Sequence, residues 1–129
     1  MKKSIRKILI CDNEEDMLEI VTQIFTKRGY EVLATRSVES MLESIPGYNP
    51  QVILLDLNLP GMGGEQAAKI LKEKPETKSI PIILISGRDD SADIADKLDL
   101  AGHIGKPFSI TTLITTISSC FDDQHSESD

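Results

Sequence analysis

Two short runs of almost unbroken aliphatic residues, Val52–Leu55 and Ile80–Ile85, constrain the fold of this chain most strongly. A strand that helices cover on both faces is apolar at nearly every position, whereas a strand with one solvated face alternates apolar and polar residues. We therefore predict two central strands of a parallel sheet. Three further strands are predicted at Lys7–Cys11, Glu31–Thr35 and Gly102–Ile104. The pattern of Glu31–Thr35 is the weaker one, and this strand should lie near an edge of the sheet.

Between these strands, apolar residues recur at the spacing of an amphipathic helix. Four helices are predicted in these segments. The first follows the Asp12–Asn13 start signal, the second surrounds Met41, the third follows the Gly61–Gly64 loop and the fourth begins near Asp90. A fifth begins at Ser109 or at one of the threonines after it. Strand and helix thus alternate five times, which predicts an α/β fold: a doubly wound parallel sheet with helices on both faces, joined by right-handed crossovers.

Length, charge and cysteine content narrow the class of protein. We place one domain at residues 1–121 and predict that the polar segment 122–129 is disordered. A net charge of −7 without a basic run argues against direct binding to nucleic acid. Because the apolar runs are too short for a signal peptide or a membrane span, we expect a cytoplasmic protein without membrane association. Cys11 and Cys120 lack a metal-ligand spacing and should be reduced core thiols.

Reactive polar residues follow four of the predicted strands, namely Asp12, Asp56, Ser86 and Lys106. Ligands of open parallel sheets bind beyond the carboxyl ends of the strands, so these four side chains should meet at one edge. Two carboxylates there repel each other unless a cation lies between them, and their hard oxygen atoms suit magnesium. Lys106 and the Ser86 hydroxyl could each hold an oxygen of a phosphoryl group.

Each of these residues also has an ordinary structural interpretation. An Asp or Ser just after a strand often only caps the next helix, and a single lysine is usually a solvated surface residue. The Gly61–Gly64 loop, taken alone, is an ordinary turn. The functional interpretation depends on the combination, because four reactive residue types at the ends of four strands are improbable as caps alone.

Four motifs resemble those of response-regulator receiver domains: Ile8–Asp12, Leu54–Gly64, Leu84–Gly87 and Gly105–Phe108. The resemblance extends from about Lys7 to Phe121, and its second motif is the most specific. It implies a flavodoxin-like fold with a five-stranded sheet in the order 2-1-3-4-5. It also implies a phosphorylatable domain of a bacterial two-component or phosphorelay system, whose donor is a phosphohistidine on a sensor histidine kinase or a phosphotransfer protein.

The resemblance assigns a role to each matching site residue. Asp56 is the phosphoacceptor, Lys106 assists the transfer, and Ser86 is both a catalytic and a switch hydroxyl. The Lys106–Pro107 peptide bond is expected to be cis, as is usual in this family. The residues implied to modulate access to the site or the lifetime of the acyl phosphate are Asn58, Gly87 and Arg88.

The same resemblance implies a magnesium site with Asp12, Asp56 and the backbone carbonyl of Asn58 as ligands. Asn13 stands where the family usually has a second acidic residue. Its amide oxygen could also ligate the metal, but the missing charge should weaken magnesium binding unless Glu14 or Glu15 compensates. We expect reduced magnesium affinity with retained phosphorylation.

Two further departures concern the switch and the output face. His103 matches the position of the family's switch aromatic, and its ring could move toward Ser86 on phosphorylation, with sensitivity to pH. The alternative is a buried core histidine. Lys106 also follows Ser86 at a spacing a couple of residues shorter than usual. The fourth helix or its following loop should therefore be shortened, which changes the region that family members use to bind an effector or to form a homodimer.

Three functions remain open from the sequence. The leading one is a signalling switch that catalyses only its own phosphoryl transfer and dephosphorylation, and so is not an enzyme for an external substrate. The second is a degenerate receiver that binds partners without phosphorylation, for which Asn13 is the main support. The third is a small phosphatase resembling the haloacid dehalogenases, but those need an aspartate where this chain has Asn58.

Overall fold

The computed structural model describes residues 5–126, in which five strands alternate with five helices. The strands are β1 (Lys7–Cys11), β2 (Glu31–Thr35), β3 (Val52–Asp56), β4 (Ile82–Ser86) and β5 (Gly102–Gly105). The helices are α1 (Glu15–Lys27), α2 (Val38–Tyr48), α3 (Gly64–Glu73), α4 (Ser91–Lys97) and α5 (Ile110–Ser126). All four strand pairings are parallel, and the order across the sheet is β2-β1-β3-β4-β5. The predicted doubly wound α/β sheet and its strand order are confirmed.

Successive residues of the central strands pack into two hydrophobic cores on opposite faces of the sheet. Val52 and Leu54 of β3 face the core that contains α1 and α5, whereas Ile53 and Leu55 face the core that contains α2, α3 and α4. Every residue of β3 and β4 is buried. This is the reason for their unbroken aliphatic sequences, since each fully buried aliphatic side chain contributes roughly 1.5–3 kcal/mol.

The strand boundaries differ from the predicted ones in two ways. The predicted strand Ile80–Ile85 begins at Ile82, because proline at position 81 has no N–H to donate, although its carbonyl accepts from Ile53 N at 2.9 Å. At the other end, β3, β4 and β5 each include one more residue, because Asp56 pairs with Ile85 and Ser86 pairs with Gly105. The functional residues are therefore held by the sheet itself.

Helix α5 begins where the sequence predicts. Ser109 caps α5, since its Oγ accepts a hydrogen bond from Thr112 N at 3.0 Å. The backbone of α5 is helical to Ser126, and the disorder of 122–129 stays a prediction. Residues 127–129 lie outside the described residues.

Three smaller predictions can also be compared with the structure. α4 has seven residues and is the shortest of the described helices, in keeping with the short spacing between Ser86 and Lys106. Cys11 and Cys120 are both buried, and neither forms a disulfide within the described chain. None of the helices in residues 5–126 has the length and apolar character needed to cross a lipid bilayer.

Candidate functional site

The four strand-end residues lie at one edge of the sheet, as predicted. Asp56 and Ser86 are the last residues of β3 and β4, while Asp12 and Lys106 directly follow β1 and β5. Main-chain hydrogen bonds fix this arrangement, because Lys106 N donates to the Ser86 carbonyl at 2.9 Å and Asp12 N donates to the Thr35 carbonyl at 3.0 Å. The parallel sheet thus brings together two carboxylates, a hydroxyl and an ammonium group.

Asp56 is almost completely buried, with 2% of its surface exposed. Its Oδ1 accepts a hydrogen bond from Asn58 N at 3.1 Å, which fixes the rotation of the carboxylate. The loop that follows is held by α3, since Gly64 N donates to the Leu57 carbonyl at 3.1 Å. Gly64 lies so close to β3 that an added Cβ would be 2.2 Å from the Asp56 carbonyl oxygen. Only glycine fits there without moving the backbone that carries Asp56.

Asp12 is fully buried, and its two carboxylate oxygens have different surroundings. Oδ1 accepts a hydrogen bond from Glu14 N at 2.9 Å. Oδ2 finds no hydrogen-bond donor among the described residues, although Lys106 Nζ lies 3.5 Å away at ion-pair distance. Burial raises the pKa of Asp12, and the charge of Asp56 raises it further. A buried carboxylate oxygen without a donor, next to a second carboxylate, is an environment short of positive charge.

Lys106 supplies part of that positive charge. Its Nζ donates a hydrogen bond to Glu14 Oε1 at 3.0 Å, in addition to its ion pair with Asp12. Burial alone would lower the pKa of Lys106, but the hydrogen bond to Glu14 and the charges of Asp12 and Asp56 together raise it above its usual value. The lysine therefore stays charged, and it faces the site instead of bulk solvent. The Lys106–Pro107 peptide bond is cis, as predicted.

The donor set fits Mg²⁺ in its chemistry. Asp12 and Asp56 offer hard carboxylate oxygens, one of which lacks a hydrogen-bond donor in the described chain. Within residues 5–126, no three or more His, Cys, Asp and Glu side chains form a group that could hold a metal ion. Main-chain or water oxygens would therefore have to complete the coordination, which agrees with how Mg²⁺ is usually bound. The ligand roles of the Asn58 carbonyl and of Asn13, which is exposed, stay predictions.

Ser86 is buried at the end of β4, with 1% of its surface exposed. Its Oγ accepts a hydrogen bond from Arg88 N at 3.0 Å, so the local turn is closed by the serine side chain. The Arg88 guanidinium points to Asp90, with Nε 3.0 Å from Oδ1 and Nη2 2.7 Å from Oδ2. These hydrogen bonds lower the pKa of Asp90. Gly87 is exposed, and a Cβ there would meet only ordinary contacts with Lys106.

His103 lies on β5, opposite Leu84 of β4, and its side chain is exposed. The alternative interpretation, a buried core histidine, is therefore wrong. The physical reason is the position of the residue, because β5 is the outermost strand of the described sheet and alternates exposed and buried residues. The role of His103 as a switch stays a prediction.

Two features of this site were not recognised from the sequence. The first is the close approach of Gly64 to the Asp56 backbone, for which the Gly63–Gly64 pair at the start of a helix was the available signal. The second is the hydrogen bond between Glu14 and Lys106. These two residues are far apart in the sequence, so their contact follows only from the strand order.

Proteins of known family resemble this chain in sequence. The family described as the response regulator receiver domain matches residues 8–118. The phosphate regulon transcriptional regulatory proteins PhoB of Klebsiella pneumoniae and Escherichia coli are each 29% identical to the chain over 116 residues. The match covers 88% of this chain and 51% of each relative, so the chain spans about half the length of these curated relatives.

Solved structures show the same fold. The chemotaxis response regulator CheY4 of Vibrio cholerae has a TM-score of 0.83 and 23% identity, over 91% of this chain and 99% of that one. A sensor protein from Polaromonas sp. JS666 has a TM-score of 0.83 and 21% identity, over 92% of this chain and 97% of that one. These similarities confirm the flavodoxin-like fold. Because the family match includes all four strand-end residues, the chain belongs to the response regulator receiver domain family.

Proposed function

We propose that this domain accepts a phosphoryl group from a phosphohistidine onto Asp56, with Mg²⁺, and thereby changes a surface that binds a partner. The observation that carries this proposal is the buried edge at which Asp56 and the donor-free Asp12 Oδ2 meet the Lys106 ammonium group. Such a cluster costs stability unless a ligand compensates it, because two carboxylates are buried close together. A cation and a phosphoryl group together would compensate it.

The proposed transfer uses few groups of the protein. An oxygen of Asp56 would form a bond to phosphorus while the P–N bond to the donor histidine breaks, and its electron pair returns to the imidazole. Such transfers depend on in-line placement and charge neutralisation more than on a separate base. The hydrogen bond from Asn58 N holds the Asp56 carboxylate in place. Bound Mg²⁺ would supply positive charge for the phosphoryl oxygens.

Lys106 and Ser86 would complete the phosphoryl site. Lys106 Nζ lies 3.5 Å from Asp12 Oδ2 at the same edge of the sheet, and rotation of its side chain would direct the ammonium group to a phosphoryl oxygen. Ser86 Oγ accepts from Arg88 N, and its hydroxyl proton can be donated to another phosphoryl oxygen. Movement of Ser86 toward the phosphoryl group would transmit the change to β4 and β5, where His103 is the proposed switch residue.

The proposal extends to partners and setting. The phosphodonor would be a sensor histidine kinase or a phosphotransfer protein. The phosphorylated domain would then bind an effector of unknown identity or a second copy of the domain. The chain would turn over only its own acyl phosphate. We propose a cytoplasmic location, because the two buried cysteines form no disulfide in the described residues. The net charge of −7 favours a protein partner over nucleic acid for this domain.

Intact-mass analysis tests the function directly. The wild-type domain, Asp56→Asn and the control Asp96→Asn on α4 are incubated with a small phosphodonor, with and without Mg²⁺. We expect a gain of one phosphoryl group in the wild type and in Asp96→Asn only with Mg²⁺, and no gain in Asp56→Asn. A wild-type chain that never gains mass would refute the proposal.

That negative result would favour the second candidate, a degenerate receiver that binds its partners without phosphorylation. The specific observation in its favour is Asn13, an exposed amide where the family usually has a carboxylate. Turnover of an external phosphate ester would instead point to phosphatase activity.

A further inference from the structure

The hydrogen bond between Glu14 and Lys106 has no role in the transfer proposed above. Glu14 immediately precedes α1, and its main-chain N–H donates to Asp12 Oδ1 at 2.9 Å, which ties the start of the helix to the site. Its side chain returns to the same site, where Oε1 accepts from Lys106 Nζ at 3.0 Å. Glu14 is 64% exposed, so burial does not force its side chain into this position.

One ammonium group thus bridges two carboxylates, since Lys106 Nζ lies 3.0 Å from Glu14 Oε1 and 3.5 Å from Asp12 Oδ2. An ammonium group between carboxylates at the edge of a magnesium-type site occupies a place that suits a small cation. It compensates Asp12 only in part, because Oδ2 still has no hydrogen-bond donor in the described part of the chain. A divalent cation would compensate both carboxylates more fully.

Asn13, the residue before Glu14, cannot supply the negative charge of the second carboxylate that the family usually has. Asn13 is neutral and exposed, and its amide oxygen is a weaker ligand for a hard divalent cation than a carboxylate is. Glu15 is the next acidic residue after Glu14, but its carboxylate forms an ion pair with Arg36. Of the acidic residues at positions 14, 15 and 16, Glu14 is the one whose carboxylate shares a partner with Asp12.

We propose that Glu14 is the second acidic group after β1 at the cation site, beside Asp12 and in the place that Asn13 cannot fill, and that Lys106 pairs with it until a divalent cation arrives. Its carboxylate forms no metal-binding group with Asp12 and Asp56 in the described residues, so it would have to turn from Lys106 toward the cation. The proposal depends on the cation site of the proposed function. Entry of the cation would transfer Glu14 from the ammonium group to the metal and release Lys106 for a phosphoryl oxygen. Cation binding and the availability of Lys106 would therefore be coupled through Glu14.

Calorimetric titration with Mg²⁺ alone, in the absence of phosphodonor, tests this coupling. The variants are Glu14→Gln, Glu15→Gln, Lys106→Met and the two double variants Glu14→Gln/Lys106→Met and Asn13→Asp/Glu14→Gln. Glu15→Gln is the matched control, because it removes the same charge from an adjacent residue of similar exposure, 58% against 64%. We expect Glu14→Gln to weaken Mg²⁺ binding roughly tenfold, because the cation loses the attraction of one nearby exposed charge. Glu15→Gln should change the affinity for Mg²⁺ little.

The Lys106→Met background separates two explanations. If Glu14 contacts the cation, Glu14→Gln weakens Mg²⁺ binding in that background as well, and Asn13→Asp restores affinity to the Glu14→Gln chain. If Glu14 acts only by holding Lys106, Glu14→Gln has no effect once the lysine is gone, which overturns the proposal. Equal losses in Glu14→Gln and Glu15→Gln also overturn it, since they indicate only long-range attraction.

Failure of this inference is distinguishable from failure of the proposed function. A wild-type chain that binds Mg²⁺ and gains a phosphoryl group, while Glu14→Gln binds Mg²⁺ with unchanged affinity, refutes the role of Glu14 alone. A wild-type chain that neither binds Mg²⁺ nor gains mass refutes both. Thermal unfolding of each variant without metal confirms that the folded domain is being compared.

Discussion

Replacing Gly64 by alanine tests whether the start of α3 holds the phosphoacceptor loop in place. A Cβ at this position would lie 2.2 Å from the Asp56 carbonyl oxygen, 2.7 Å from Leu57 Cα and 2.9 Å from the Asp56 carbonyl carbon. Carbon–oxygen contacts are normally about 3.3–3.6 Å, so the backbones must separate by about 1 Å. All three atoms belong to the main chain, and no side-chain rotation can relieve the overlap.

The expected cost follows from this displacement. Overpacking of a well-packed site costs about 1–3 kcal/mol, and main-chain contacts place Gly64→Ala at the upper end of that range. The better helix propensity of alanine returns at most about 1 kcal/mol. We therefore expect a net loss of roughly 2 kcal/mol in the free energy of unfolding, measured by urea denaturation with an unchanged m-value.

Gly47→Ala is the matched control. Gly47 lies within α2, and a Cβ there would meet no atom within 4 Å. This variant should be as stable as the wild type or slightly more stable, because alanine favours the helix. Gly64→Ala should also be phosphorylated more slowly than Gly47→Ala, since a shift of about 1 Å in a reacting group can cost on the order of 100-fold in rate. A Gly64→Ala chain with wild-type stability and rate would refute the reasoning.

Four further outcomes are expected. Burial raises the pKa of Asp12, so the ionised carboxylate costs stability at neutral pH. Metal-free Asp12→Asn should therefore be about 1 kcal/mol more stable than the wild type at pH 7, measured by urea denaturation. Equal stability of the two chains would contradict this. That difference should shrink as the pH falls through the raised folded-state pKa toward the ordinary value near 3.9. Burial also raises the pKa of Cys11 to about 11, so its thiol should resist alkylation at pH 7 until the chain unfolds, and rapid labelling of the folded domain would exclude this environment. Thr77→Val should lose about 1–2 kcal/mol, because the buried hydroxyl donates to the Leu71 carbonyl at 2.6 Å; an unchanged midpoint in urea would show that this bond adds nothing. If His103 is the switch, His103→Phe should abolish any pH dependence of activation between roughly pH 5 and 8, measured as partner binding after phosphorylation, and its persistence would exclude that role.

The central strands could be predicted because burial on both faces leaves a direct record in the sequence. Val52–Leu55 is apolar at every position for that reason, and the strand order brings Asp56 to the site. The strand ends were less predictable. Asp56 and Ser86 belong to their strands because of the register in which β3 pairs with β4 and β4 pairs with β5. This register cannot be predicted from the local sequence.

The side-chain contacts of the site were the least predictable part. The position of Lys106 after β5 predicts its approach to Asp12, but the choice of Glu14 as hydrogen-bond acceptor depends on rotamers and on the start of α1. The exposure of His103 depends on which strand is outermost. These properties arise from packing among distant segments.

The position of β3 in the middle of the sheet has a consequence for how this domain could change shape. Asp56 belongs to a strand that is hydrogen-bonded to β1 on one side and to β4 on the other, with all five of its residues buried. Amide protons of such a strand exchange with solvent only when most of the domain opens, whereas those of an outer strand exchange through local opening. Strand β5 is the outer strand on that side in the described chain, and it is short and half exposed. Slow exchange should therefore mark the residues around Asp56, and the segments whose protection responds to phosphorylation should be β5 and the short helix α4 before it.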